Sequence, residues 1–155
     1  MSSMFSLPAG SAHAPSLPPA IVVHSLADAV AALAPGLPVT LLSAPGAGVY
    51  AGAGWWRALV DAALATHPGT PCFNVLDCAD APGMAMAAIR AGQALLVLDP
   101  ACPAYPRIAT LATLLPARPR ALDLGDRGAA RRLLAWLNCH PGDSRPEDDS
   151  KPALR

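Results

Sequence analysis

The chain has 155 residues, of which 53% are hydrophobic and only 14% charged, and its formal net charge is zero. A neutral chain lacks the positive charge with which proteins hold polyphosphate, so we expect no nucleic-acid partner. Glu147 and Lys151 are the only Glu and the only Lys, which excludes a Schiff-base lysine and a Walker A loop from the residues before them.

The two ends of the chain differ in composition from its centre. Residues 1–19 are mostly Ser, Pro, Ala and Gly, and residues 140–155 are polar and interrupted by prolines. Both compositions are typical of disorder, so we predict a leader (1–19), one α/β domain (20–139) and a tail (140–155). The leader lacks the basic start and the apolar run of a signal peptide, which indicates a cytoplasmic protein with reduced thiols.

No charged residue occurs between Ala29 and Trp56. That length would span a bilayer, but the prolines and glycines within it break any helix repeatedly. We therefore expect no association with membranes.

The central region repeats one pattern five times: a short apolar run, a loop, and a longer segment with helical spacing. The first predicted helix begins with a capping-box-like pair, Ser25 and Asp28. The second predicted helix begins near Tyr50. Asp80 is a candidate cap for the third helix, with Pro82 early in it. The five runs that we interpret as strands are residues 20–24, 39–44, 72–78, 94–99 and 121–124.

The last two helices are predicted from spacing alone. Leu133, Leu134, Trp136 and Leu137 mark the fifth helix. For the fourth, an apolar stripe at helical spacing comprises Ile108, Leu111, Leu114 and Leu115.

Alternating strands and helices favour a parallel sheet covered on both faces. We predict a single three-layer domain with five parallel strands in the flavodoxin-like, Rossmann-like order 2-1-3-4-5. The alternative architecture is a half β/α barrel, and a homodimer is a further expectation.

In such sheets ligands bind where the parallel strands end. The predicted strand ends carry His24, Ser43, Asp77, Cys78 and Asp99. The catalytic candidates among them are His24, Asp77 and Cys78. Three of the strand-end residues have a structural alternative: His24 as a buried core histidine, Cys78 as an inert thiol, and Asp99 as a turn former before Pro100.

A glycine-rich loop, SAPGAGVYAGAGWW, follows the second predicted strand. The amides of Gly46 and Gly48 could approach an anion at the start of a helix. The alternative is that the glycines only allow a tight turn and close packing. The loop lacks the third glycine of the dinucleotide fingerprint at its usual place. The expected ligand-binding residues are Ser43, Gly46, Gly48, Asp77 and Asp99.

We expect no metal and no cofactor. His24, Cys78 and Cys102 lack the compact spacing of a zinc site. The other metal alternative is a Mg²⁺ site formed by Asp77, Asp99 and Asp123, which offer the carboxylates that Mg²⁺ prefers. The sequence supports this site only slightly better than the zinc site.

The segments HSLADA, TLLSAPGAGVYAGAGWW and LDCADAPGMAMAAIRAG resemble a family of small bacterial proteins whose activity is not known. The resemblance covers about residues 20–100. It implies one compact α/β domain and adds no substrate or catalytic residue.

The function that we expect is the binding of a small anionic metabolite where the strands end, with catalysis left open. The alternative is a protein-interaction module without a ligand site. A concave pocket lined by Gly46, Gly48, Asp77 and His24 would favour the first function, and an exposed apolar patch would favour the second.

Overall fold

The computed structural model describes residues 16–139, so the predicted tail and residues 1–15 of the predicted leader lie outside the described residues. Strands and helices alternate along this part of the chain. The strands are β1 (Ala20–Val23), β2 (Val39–Ser43), β3 (Cys72–Asp77), β4 (Leu95–Val97), β5 (Thr113–Leu115) and β6 (Ala121–Asp123). The helices are α1 (Leu26–Leu33), α2 (Ala47–Tyr50), α3 (Gly52–Thr66), α4 (Pro82–Arg90), α5 (Tyr105–Ile108) and α6 (Ala129–Leu137).

The six strands form one parallel sheet in the order β5-β4-β3-β2-β1-β6. The predicted α/β class and parallel sheet are confirmed, but the predicted count of five strands is wrong. The missing strand is β5, which lies inside the predicted fourth helix. The helical segment there ends at Ile108, and Thr113–Leu115 pairs with β4 instead.

The predicted order 2-1-3-4-5 is also wrong, because β2 lies between β1 and β3. From β1 to β5 every crossover moves the chain to the next position in the same direction. A flavodoxin-like order would require that direction to reverse after β2. Only β6 departs from the progression, since it pairs with β1 at the other side of the sheet.

The buried residues form two clusters, as the alternation of side chains along parallel strands requires. The first contains Ile21, Val23 and Leu41 together with buried residues from all six helices. The second consists of strand residues only, and no described helix contributes to it. Its members are Val22, Leu42, Val75, Leu95, Val97 and Leu115, with Leu17, Phe73 and Ala121 packed against them.

The connection between β5 and β6, residues 116–120, crosses from one side of the sheet to the other. Its central residue, Arg118, reaches the ends of the central strands β2 and β3. Six residue steps from Leu115 to Ala121 span at most about 20–22 Å. Five strand spacings of roughly 4.8 Å would separate β5 from β6 by about 24 Å in a flat sheet. The sheet therefore curves toward this connection.

The residues before β1 also belong to the folded body. The Thr40 N–H donates to Pro19 O at 3.0 Å, and the Thr40 hydroxyl donates to Pro18 O at 2.9 Å. Leu17 packs against the second cluster. Residues 17–19 of the predicted leader, 1–19, therefore contact the sheet.

Candidate functional site

Four adjacent strands bring polar side chains to the carboxyl edge, by which we mean the edge of the sheet where the strands end. These strands lie side by side in the order β3, β2, β1 and β6. The residues at their ends are, in the same order, Asp77, Ser43, His24 and Asp123. They form two pairs, one centred on Asp77 and the other on His24. Arg118 reaches the first pair from the crossing connection.

Asp77 is the buried centre of the first pair, with a side chain only 4% exposed. Its Oδ2 accepts a hydrogen bond from Arg118 Nη1, and its Oδ1 accepts one from the Ala79 N–H at 2.7 Å. The Asp77 N–H donates to Ser43 Oγ at 2.9 Å. Arg118 Nη2 also donates to Ser43 O at 2.9 Å. These bonds compensate the buried carboxylate and hold the guanidinium in one orientation.

Ala79 has an unusual backbone conformation, with φ of +50°, directly after this pair. The conformation turns the chain so that Ala79 can bond the Asp77 carboxylate, while Ala79 O accepts from the Asp99 N–H at 2.8 Å. A non-glycine residue in this region costs energy and is frequent at functional sites.

His24 and Asp123 form the second pair, and they are more exposed, at 41% and 35% of their side chains. His24 Nε2 lies 2.6 Å from Asp123 Oδ1, which also accepts the Gly125 N–H at 2.8 Å. Burial acts to raise the pKa of Asp123. The hydrogen bonds from Gly125 and His24, with the charges of His24 and Arg118, outweigh burial and hold that pKa below its usual value.

The loop after β6 and the first turn of α1 fix the position of His24. The His24 N–H donates to Asp28 Oδ2 at 2.9 Å, and Ser25 Oγ accepts the Asp28 N–H at 3.2 Å. This confirms the predicted cap of the first helix. Gly125 lies so close that a Cβ there would be 3.2 Å from His24 Nε2.

Among the other predicted site residues, Cys78 is fully buried beside Asp77. Burial raises the pKa of its thiol to about 11, and the negative charge of Asp77 adds to the increase. Such a thiol is a poor nucleophile at neutral pH. Asp99 is exposed, and its Oδ1 accepts the Ala101 N–H at 2.8 Å, as a turn former does.

The two glycines of the predicted anion loop have different surroundings. Gly46 has φ of +69° and precedes the four-residue helix α2. Gly48 is buried inside α2, where a Cβ would lie 2.8 Å from Cys78 Sγ and 2.9 Å from Asp77 O. Turn geometry and close packing account for both glycines, and their role in ligand binding stays a prediction.

One sequence interpretation near the site is wrong, and one residue of the site was not predicted. Asp80 does not cap α4, because the N-cap is Ala81 and no side chain caps it. Arg118 was not among the predicted site residues at all. It lies between Pro116 and Pro119 in a segment without periodicity, and only the strand order brings that segment to the carboxyl edge.

Large apolar side chains are also exposed around the starts of the two longer helices α1 and α3. Leu26 begins α1, Val49 and Tyr50 end the short α2, and Trp55 lies in the first turn of α3. Their exposed fractions range from 40% for Trp55 to 69% for Tyr50. By contrast, Trp56 is fully buried, and its Nε1 donates to Asn74 Oδ1 at 3.2 Å.

A separate apolar groove lies at the opposite edge, where the strands start. Its lining includes Leu17, Leu37, Phe73 and Leu137. Within residues 16–139 no helix is long and apolar enough to cross a membrane. The same residues contain no cluster of three or more His, Cys, Asp or Glu side chains that could hold a metal ion.

No protein-family model, curated protein or solved structure matches the chain. The resemblance to a bacterial family therefore stays a prediction, and the site is interpreted from its own geometry.

Proposed function

We propose that this protein binds a small anion, with carboxylate or phosphate oxygens, at the carboxyl edge of its sheet. The ligand would be held by Arg118, next to Asp77 and Ser43. The partly exposed guanidinium of Arg118 is the observation that supports this proposal best.

Arg118 has hydrogen-bonding capacity to spare. A guanidinium carries five N–H donors, and Asp77 Oδ2 and Ser43 O use two of them. The other three have no acceptor among residues 16–139, while 27% of the side chain is exposed. A pre-oriented guanidinium with unused donors favours planar oxyanions, because little side-chain entropy is lost on binding.

The test is calorimetric titration of the wild type with succinate and with inorganic phosphate at low salt. Arg118→Lys keeps a cation beside Asp77 but removes the planar fork of donors. We expect it to weaken binding about tenfold or more, since one charge-assisted hydrogen bond contributes about 1.5–3 kcal/mol.

Arg90→Gln is the control, because Arg90 is exposed at the end of α4, on the opposite edge. It removes one positive charge from the protein without touching the site and should bind as the wild type does. If neither probe binds the wild type, or if both variants bind equally well, the proposed anion site is wrong.

A protein-interaction module is the second candidate function, and the exposed side chains of Leu26, Val49, Tyr50 and Trp55 favour it. Large exposed apolar residues near one edge are typical of protein contacts. A homodimer and a cytoplasmic location belong to this group of proposals. Light scattering of Tyr50→Ser and Trp55→Ser variants tests it, since loss of a wild-type dimer in either variant would support a contact there.

A further inference from the structure

We propose that His24 is a general base that activates water, and that the protein hydrolyses small esters bearing an anionic group. This inference rests on the proposed function, because the anionic group would be held by Arg118. It adds a reaction to the binding site and assigns separate roles to His24 and Asp123.

The pairing with Asp123 fixes which nitrogen of His24 carries the proton. Asp123 accepts two hydrogen bonds at one oxygen, and its pKa lies below its usual value. It is therefore ionised at neutral pH and acts only as an acceptor. His24 Nε2 must donate the proton of that 2.6 Å bond, which leaves the lone pair of the neutral ring on Nδ1.

The lone pair on Nδ1 is free to accept a proton. Nδ1 has no hydrogen-bond partner among residues 16–139, and 41% of the side chain is exposed. Asp123 holds the ring at Nε2, a side chain at Gly125 would crowd the same nitrogen, and the bond from the backbone N–H to Asp28 fixes the main chain of His24. An oriented imidazole with a carboxylate behind it is the base-and-orienter arrangement found in hydrolases.

No protein nucleophile accompanies this base in the part of the chain that the structure describes. Within residues 16–139, Ser25 Oγ accepts the Asp28 N–H and does not bond His24. Cys78 is buried, and its thiol pKa is raised to about 11. Water is therefore the nucleophile that the arrangement can activate.

The reaction balances as an ordinary ester hydrolysis. A water molecule transfers a proton to His24 Nδ1 while its oxygen bonds to the acyl carbon. The bond from the acyl carbon to the leaving oxygen then breaks, and the leaving group departs with the electron pair. The proton on Nδ1 passes to the leaving oxygen or to solvent, which restores the neutral ring.

Substrate preference follows from the charge at the site. Arg118 is the cation next to this pair, and its charge acts on Asp123. An ester with its own carboxylate should therefore be preferred over a neutral ester of the same acyl length. The matched probes are the mono-4-nitrophenyl ester of succinic acid and 4-nitrophenyl butyrate.

The experiment measures release of 4-nitrophenolate by the wild type, His24→Gln, Asp123→Asn and His67→Gln. His67 is a half-buried histidine at the far end of α3, so its variant controls for hydrolysis by any imidazole. General bases contribute about a hundredfold or more. We therefore expect His24→Gln to fall to background, and His67→Gln to match the wild type.

Asp123 acts through His24 and is a positioning residue. We expect Asp123→Asn to lower kcat with little change in KM, because the variant alters the partner that orients the base and leaves Arg118, which holds the anionic group, in place. A loss that appears in KM and not in kcat would overturn this role. An equal rate in H₂O and D₂O would overturn general-base catalysis, because it would show that no proton is transferred in the rate-limiting step.

Succinate titration of the same variants separates this inference from the proposed function. Hydrolysis lost in His24→Gln while succinate still binds supports the base. Succinate binding with no hydrolysis above background, or with hydrolysis unchanged in His24→Gln, overturns the base and leaves the anion site intact. Failure of the wild type to bind succinate overturns both.

Discussion

The absence of a side chain at Gly48 is a packing requirement, and the absence of one at Gly46 is a conformational requirement. A Cβ at Gly48 would meet Cys78 Sγ and the backbone oxygen of Asp77, both closer than 3.0 Å. A Cβ at Gly46 would meet nothing within 4 Å, but the backbone there has φ of +69°. The same residue type therefore serves two physical purposes within three positions.

Three glycine-to-alanine variants distinguish these purposes. We expect Gly48→Ala to destabilise the fold by about 1–3 kcal/mol through overpacking. Gly46→Ala should cost roughly 1 kcal/mol through strain. Gly54→Ala, in open space within α3, should be neutral or stabilising by up to about 1 kcal/mol. Urea unfolding measures all three, and a Gly48→Ala variant as stable as Gly54→Ala would contradict the contact between α2 and β3.

The accessibility of the cysteine thiols follows their burial in the fold and not their position before or after a strand. The sequence suggests that Cys72 is buried and that Cys78, after the strand, is accessible. Instead Cys78 is fully buried, Cys72 is half-buried, and Cys139 is exposed. Burial raises the thiol pKa of both Cys72 and Cys78 to about 11, opposed at Cys72 by a backbone hydrogen bond.

Alkylation with iodoacetamide at pH 8, resolved by peptide mass spectrometry, should therefore modify Cys139 first and Cys78 last. Raising the pH toward 11 should accelerate Cys72 and Cys78, because their thiolates form only as the pH approaches that value. In denaturant all four thiols should react at similar rates. Fast native labelling of Cys78 would show that the end of β3 is open.

The β5 segment shows where sequence periodicity fails. Ile108, Leu111, Leu114 and Leu115 have the spacing of one helical stripe, yet the helix ends at Ile108 and the last two positions are in a strand. Three residues are too few for alternation to compete with a helical pattern. Pairing with β4, a tertiary contact, decides the outcome.

Substitution of two leucines tests this assignment. A helical stripe would bury Leu111 and Leu115 alike, whereas Leu111 is 56% exposed and Leu115 only 5%. We expect Leu115→Ala to lower the free energy of unfolding by about 2–4 kcal/mol. Leu111→Ala should change it by less than about 0.5 kcal/mol. Similar losses in the two variants would favour the helix.

The same limit applies to the candidate site. His24, Ser43 and Asp77 could be placed at one edge from the sequence, because parallel strands all end there. Arg118 could not, since its position depends on which strand β6 joins. A strand that joined β5 would leave the connection at the side of the sheet, whereas pairing with β1 carries Arg118 over the ends of β2 and β3.

At the scale of the folded body, residues 16–139 bury the two faces of the sheet by different means. Each of the six helices within residues 16–139 contributes to the first cluster, whereas the second cluster consists of strand residues with Leu17 packed against them. When extended chain covers one face of a sheet, the stability of that face rests on few side-chain contacts. The segment before β1 should therefore matter more for stability than its composition suggests.

Two truncations test this dependence. A chain beginning at Ser16 keeps the hydrogen bonds from Thr40 to Pro18 and Pro19 and the packing of Leu17. A chain beginning at Ala20 loses both hydrogen bonds and leaves Thr40, which is fully buried in the intact protein, without these partners. Each lost bond costs about 0.5–1.5 kcal/mol, and exposure of Leu17 adds to that loss.

We therefore expect the chain from Ala20 to be less stable toward urea than the chain from Ser16 by about 2–4 kcal/mol. A Thr40→Val variant of the full chain isolates the side-chain bond and should lose less, because the bond from its N–H to Pro19 O remains. Equal stability of the two truncated chains would mean that residues 16–19 contribute nothing to the second face. Among residues 16–139, the packing of Val22 and Leu42 would then depend on the other strand residues of the second cluster.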